Sequence, residues 1–275
     1  MLTTVTSIAS ALPPIVPGIG GAVLTGIQAL AIASNFSMET NSQTRTQYSK
    51  FAQAKDENKD KNSMIGSRDG MTLIYLPAFA VSSALFVLPE VANLPFLPQQ
   101  SLAEFFLMLH FGKRLLEVFY LHKYSGKVGR DLSIGIGFYY GLVSLLVCCV
   151  ASPTTGDGSD MIGAGSALFA IGTAGNLYHH SILAGLRDSG KTDDKSYIAP
   201  KGGLFDFVAA PHYLFELMAW LGIAIVSQHL NAYLVFFSMT SYLSGRAYSQ
   251  NEWNMSKFSD EEWPRSRKNI VPFLF

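Results

Sequence analysis

Long apolar runs alternate with short charged segments along the whole chain, and the basic residues mark the borders. Lys and Arg are absent from 1–44, 69–112, 131–186 and 202–245. All 20 of them fall in four clusters, Arg45 to Arg68, Lys113 to Arg130, Arg187 to Lys201 and Arg246 to Lys268. A water-soluble surface has no reason to gather its cations this way, whereas the cytosolic loops of a polytopic membrane protein retain Lys and Arg. An apolar helix needs about 20 residues to cross a bilayer. The pattern therefore predicts spans near 13–35, 70–90, 101–121, 132–151, 160–184, 208–228 and 230–250. Connections inside a basic-free stretch lack Lys and Arg, and connections between stretches carry four or more. The expected fold is all-α, a single transmembrane helical domain over 1–275 with about seven spanning helices. Its N-terminus is expected to be lumenal, its C-terminus cytosolic, and residues 36–69 a cytosolic loop.

Composition agrees with this class. The 275 residues are 49% hydrophobic and 15% charged, where soluble domains carry about a quarter charged residues. Mean hydropathy is +0.24. The net charge of zero gives no basic field for nucleic acid. Cys148 and Cys149 are adjacent, cannot staple distant parts of the chain, match no zinc spacing, and read as packing residues. Met1 to Pro17 lacks the basic start of a cleaved signal peptide. Gly18-Ile19-Gly20-Gly21 is a faint dinucleotide fingerprint with no strand before it and no acidic residue at the needed distance, so it reads as close helix packing. Asn35 and Asn254 sit in glycosylation patterns on the expected cytosolic side and should go unused.

Polar groups inside spans are costly and mark candidate sites. Here they are His110, Glu117, Asn176, Tyr178, His179, His180, His212 and Glu216. A cytosolic mouth lined by Arg187, Lys201, Arg246, Arg267 and Lys268 would attract a phosphorylated ligand, although the same cations also serve to set topology. His179 and His180 are adjacent on a helix and point about 100° apart. The histidines lack the several paired clusters of a di-metal hydroxylase or desaturase, so no metal is expected.

A set of landmarks in the C-terminal third then narrows the reading. These are Pro200-Lys201-Gly202-Gly203-Leu204-Phe205, Pro211-His212-Tyr213-Leu214-Phe215-Glu216, and the ending Ser266-Arg267-Lys268-Asn269-Ile270-Val271-Pro272-Phe273. Upstream stand Tyr48-Ser49-Lys50-Phe51, Leu109-His110-Phe111-Gly112-Lys113-Arg114 and His122-Lys123-Tyr124-Ser125-Gly126. In this order and spacing the chain resembles the steroid 5α-reductase family, which includes enoyl-CoA and polyprenol reductases, over roughly residues 48–275.

The resemblance implies a seven-helix enzyme of the endoplasmic reticulum membrane. Such an enzyme uses NADPH to reduce a carbon–carbon double bond conjugated to a carbonyl in a lipid taken from the bilayer. It places dinucleotide contacts at Asn176, Arg187, Tyr197, Gly202, Gly203, Glu216, Arg246 and Arg267, within a cofactor-binding part of about 105–275. Two positions depart from the family in a linked way. The carbonyl-polarising tyrosine after the third span's histidine is Phe111, and the second span's glutamate is replaced by Tyr75. Tyr75 is thus the expected donor to the substrate oxygen, relocated to the facing helix. His180, Ile198, His212 and Asn254 also depart from the steroid enzymes and point to a different branch. Two other classes stay open at this point: a related membrane methyltransferase, and a non-catalytic homologue that binds lipid or nucleotide.

Overall fold

Seven α-helices and very little sheet make up the residues described by the computed structural model, which are 13–47, 51, 63–92, 98–151, 159–189 and 197–275. The helices are α1 (Gly18–Thr40), α2 (Ser67–Ala92), α3 (Pro98–Leu116), α4 (Arg130–Val150), α5 (Ser159–Ser189), α6 (Pro211–Ser227) and α7 (Leu230–Lys257). Each expected span coincides with one of them, and the protein is an all-α membrane protein. The first span is displaced toward the C-terminus. Pro13, Pro14 and Pro17 have no amide hydrogen to give a helix, and Gly18 takes a φ of +76°. Residues 13–17 run instead to the turn between α6 and α7. There the Leu230 amide donates to Pro14 O (2.8 Å) and the Val16 amide to Asn231 Oδ1 (3.0 Å).

Helices α1, α2 over Ser67–Pro89, and α4 are long and apolar enough to cross a membrane by composition, and α6 is apolar but shorter. The remaining three are more polar because they bury functional groups. Glu104 and His110 lie in α3, Asn176, His179 and His180 in α5, and Asn231, Arg246 and Asn251 in α7.

Glycine sets a close contact between α5 and α6. A Cβ on Gly172 of α5 would stand 2.4 Å from Ala219 N and 2.6 Å from Phe215 O of α6. One on Gly222 of α6 would stand 2.5 Å from Gly165 O. The two backbones therefore touch, as small residues allow in membranes. Gly172→Leu is expected to force them apart at a cost toward the upper end of about 1–3 kcal/mol. Its thermal unfolding midpoint in detergent should fall by several degrees, and an unchanged midpoint would refute the contact. Helix α3 packs on the outside of this pair, with Phe106 stacked on Phe169 at 4.2 Å.

The four basic segments meet one another. Strand β1 (Met64–Gly66) pairs antiparallel with β2 (Lys127–Gly129), which ties the first cluster to the second. The Ala209 and Ala210 amides donate to Lys268 O and Asn269 O, which ties the segment after the third to the fourth. Arg246 Nη1 donates to Thr46 O (2.8 Å) and links fourth to first. These contacts place the basic loops on one end of the bundle, here called the basic end.

Candidate active site

The His110-to-Glu117 stretch at the end of α3 builds the centre of the site. His110, Lys113, Arg114 and Glu117 lie three, four and seven residues apart and so share one helix face. The helix then opens into a π-helical turn, Glu117–Leu121, whose last bond runs from the His122 amide to Glu117 O (2.7 Å). Such turns recur at functional sites. Glu117 is 2% exposed and holds both cations, with Lys113 Nζ at 3.1 Å from Oε1 and Arg114 Nη1 at 2.7 Å from Oε2. Lys113 also donates to Asn176 Oδ1, and Asn176 Nδ2 donates to His212 O (2.8 Å). His180 Nδ1 lies 3.1 Å from Glu117 Oε1 and 2.9 Å from Arg114 Nη1. A neutral imidazole nitrogen satisfies one of these, accepting from the arginine or donating to the carboxylate. On the next turn of α3, His110 Nε2 lies 3.2 Å from Glu216 Oε1 of α6.

Tyr75 reaches this network from α2. Its hydroxyl oxygen accepts from Arg114 Nη2 at 2.6 Å, and the Arg114 guanidinium lies 4.8 Å from its ring centroid. Phe111 packs 6.5 Å away, 1% exposed, with no hydroxyl to offer. Tyr75 also lines a cavity of about 200 Å³, walled by Met71, Ile74, Tyr139, Tyr140 and Met239. A more open apolar groove of about 490 Å³ runs between α3 and α5, along Leu102, Phe106, Phe169 and Leu177, and reaches Lys113.

A second group lies in the basic loops. Gly202 and Gly203 take φ of +89° and +55°, a region closed to most side chains. Their turn is anchored by His179, whose Nδ1 meets Gly175 O at 2.7 Å and whose Nε2 accepts the Leu204 amide at 3.1 Å. A Cβ on Gly203 would stand 2.9 Å from that Nε2, whereas one on Gly202 would meet none of the described residues within 4 Å. The Arg267 guanidinium lies 4.1 Å from the Trp263 ring, and Nη1 donates to Pro200 O at 3.3 Å. Partial burial pulls the pKa of Arg267 below its ordinary value, and the Asp206 carboxylate opposes that shift. The rings of His179, Phe205, His212 and His180 follow one another at 5.4–6.1 Å and join this turn to the α3 network.

The expected site residues thus fall into three groups. Tyr75, Asn176 and Glu216 meet on the α3 network. Gly202, Gly203 and Arg267 form the loop group, and Tyr197 lies beside it with its ring edge-on to Trp253 at 4.8 Å. Arg246 joins neither. It is 2% exposed, paired with Glu39 Oε2 at 3.1 Å, and set 4.9 Å from the Phe51 ring. Arg187 lies in α5 with its side chain outside the described atoms, and Tyr48, Ser49 and Lys50 lie outside the described residues. Tyr178 is exposed on the outer face of α5. In the sequence Lys113 and Arg114 stand in a basic cluster and in a family landmark but not among the expected site residues, and the structure makes them members of a buried network. The i, i+4, i+7 spacing of His110, Arg114 and Glu117 was the available signal. The π turn also brings Glu117, His122 and His180 together, their ligating atoms within 4.8 Å. Arg114 already occupies the space beside Glu117 and His180, which disfavours a cation there.

Residues 150–275 match the sequence profile of the 3-oxo-5-alpha-steroid 4-dehydrogenase family. Over this stretch the chain is similar to the steroid 5α-reductase family. The human 3-oxo-5-alpha-steroid 4-dehydrogenase 1 is 40% identical over 111 residues, 40% of this chain and 41% of that protein. The steroid 5-alpha-reductase DET2 of Solanum lycopersicum is 36% identical over 113 residues, 41% of this chain and 42% of that protein. The very-long-chain enoyl-CoA reductase of Dictyostelium discoideum is 28% identical over 169 residues, 60% of this chain and 55% of that protein. The chain therefore matches from about two fifths to just over half the length of these relatives. The matched profile includes Asn176, Glu216 and the glycine turn; Tyr75 and the α3 motif lie before it.

Proposed function

We propose that the protein is an NADPH-dependent reductase of a carbon–carbon double bond conjugated to a carbonyl in a lipid, set in the endoplasmic reticulum membrane with its basic end cytosolic. The observation that carries this reading is the ion-paired polar network around Glu117, Asn176 and Glu216, which reaches through Arg114 to Tyr75 on the wall of a cavity of mixed apolar and polar lining. The residues present fit a dinucleotide. Among the described residues, His110 Nδ1, His212 Nδ1 and Arg267 Nε are buried with no hydrogen-bond partner, and nothing stands over Gly202. Glu216, Asn176 and His110 would hold the nicotinamide end, and the glycine turn with Arg267 the phosphates, for which a guanidinium fork is suited. The bound cofactor supplies a hydride to the β carbon.

The chain's own groups do the rest. As the double-bond electrons move onto the carbonyl oxygen, Tyr75 donates a hydrogen bond to the developing enolate. A proton from water then reaches the α carbon, and the carbonyl re-forms. The apolar part of the cavity wall, Met71, Ile74 and Met239, lowers the local dielectric and so strengthens that hydrogen bond. The groove between α3 and α5 gives an apolar bed to a lipid tail.

The test is purified protein in lipid nanodiscs with NADPH and, in turn, a 3-oxo-Δ4 steroid, an enoyl-CoA and a polyprenal. NADPH should bind where S-adenosylmethionine does not, and one substrate class should consume it with a saturated product. Tight NADPH binding with no reduction of any of the three would favour the non-catalytic homologue, which the apolar Phe111 already fits.

A further inference from the structure

We infer that Arg114 is a positioning residue for Tyr75, holding the phenol so that its hydrogen faces the cavity. The inference rests on the reading of Tyr75 as the donor to the substrate carbonyl. A guanidinium has only donors. In the 2.6 Å contact between Arg114 Nη2 and Tyr75 Oη the phenol oxygen is therefore the acceptor. One of its lone pairs is thereby committed to α3, so its own hydrogen cannot point at Arg114, and Tyr75 is among the residues that line the cavity.

Arg114 is itself fixed at the other end of its fork. Nη1 is 2.7 Å from Glu117 Oε2, so rotation of the guanidinium would break an ion pair buried in the bundle. Glu117 is in turn held by Lys113 and His180. The chain of contacts from Glu117 through Arg114 to Tyr75 spans α3 and α2, and it orders a side chain that a single helix could not. A hydrogen bond accepted from a cation also polarises the phenol and makes its O–H a stronger donor. Charge drawn onto Tyr75 Oη as it shares its hydrogen with an enolate would be met by the guanidinium. Phe111, beside the same ring, offers no alternative donor. This accounts for how a phenol on α2 can act where the family's tyrosine would stand on α3.

Arg114→Lys separates this role from stability. An ammonium keeps the charge beside Glu117 but cannot span both Glu117 and Tyr75. With NADPH and progesterone as probe, kcat is expected to fall roughly 10- to 100-fold, the range of one charge-assisted hydrogen bond. KM and the NADPH Kd should stay within about threefold. In a Tyr75→Phe background the same change should have almost no further effect on kcat, because the group it acts through is gone. Independently of turnover, the ¹⁹F resonance of 3-fluorotyrosine placed at position 75 should shift between the native chain and Arg114→Lys.

An unmoved fluorine resonance overturns the inference whatever the activity. So does an Arg114→Lys loss of the same size with and without the Tyr75 hydroxyl. If Tyr75→Phe is inactive while Arg114→Lys turns over normally, this inference alone fails. If Tyr75→Phe itself turns over normally, the assignment of Tyr75 as donor fails first.

Discussion

Tyr75→Phe should cut turnover by about 100- to 10,000-fold, the span over which positioned acids act, and leave NADPH binding nearly intact. The change removes one oxygen from a ring that keeps its packing against Tyr140 (6.3 Å, stacked) and Phe111. The cavity keeps its walls and the Glu216–His110 pair is untouched. The loss should therefore appear in kcat, since the interaction strengthens as charge develops on the substrate oxygen. Side-by-side kcat and NADPH Kd measurements decide it. Retained turnover would mean that the carbonyl is polarised from elsewhere.

Glu117→Ala should be the most destabilising single change in the described part of the site. It would leave Lys113 and Arg114 facing each other without their shared counter-charge in a setting 2% exposed at the carboxylate. Removing one partner of a buried ion pair costs about 3–5 kcal/mol, which for a chain of this size lowers the unfolding midpoint by roughly 6–20 °C. Glu117→Gln keeps the shape and some hydrogen bonds and should lose less. A Glu117→Ala protein that melts with the native chain would show that the two cations are solvated after all.

Much of the architecture was legible because the bilayer writes it in charge. Basic residues confined to four segments gave seven spans, and seven helices stand there. Span ends were less legible where proline overrides hydropathy, as at Pro13 to Pro17. In the site, Asn176 and Glu216 stood out as polar groups within apolar runs, and the structure places both on the α3 network. The contact of Arg114 with Tyr75 was not readable, because it depends on how α2 and α3 are rotated against each other. The π turn was equally hidden. It shifts the helical register by one residue after Glu117, and no apolar period reports such a shift. Arg246 shows the converse limit. Its position in a basic cluster says nothing of Glu39, 207 residues away, which takes its charge in the structure.

That last pair belongs to a polar ladder between α1 and α7. Gln28 Nε2 donates to Asn231 O (3.0 Å), Asn35 Nδ2 to Ser238 Oγ (3.1 Å), and Ser249 Oγ to Glu39 O (2.8 Å). Gln28, Asn35 and Glu39 thus find these partners more than 200 residues downstream in the chain. A ribosome delivers α1 to the membrane long before α7 exists. Until then, the amides and carboxylate of α1 have no matching surface, and lipid offers them none. Biogenesis must therefore keep α1 at a wet or chaperoned site until the last helix arrives, and a chain arrested before Asn231 should be handed to quality control as an orphan.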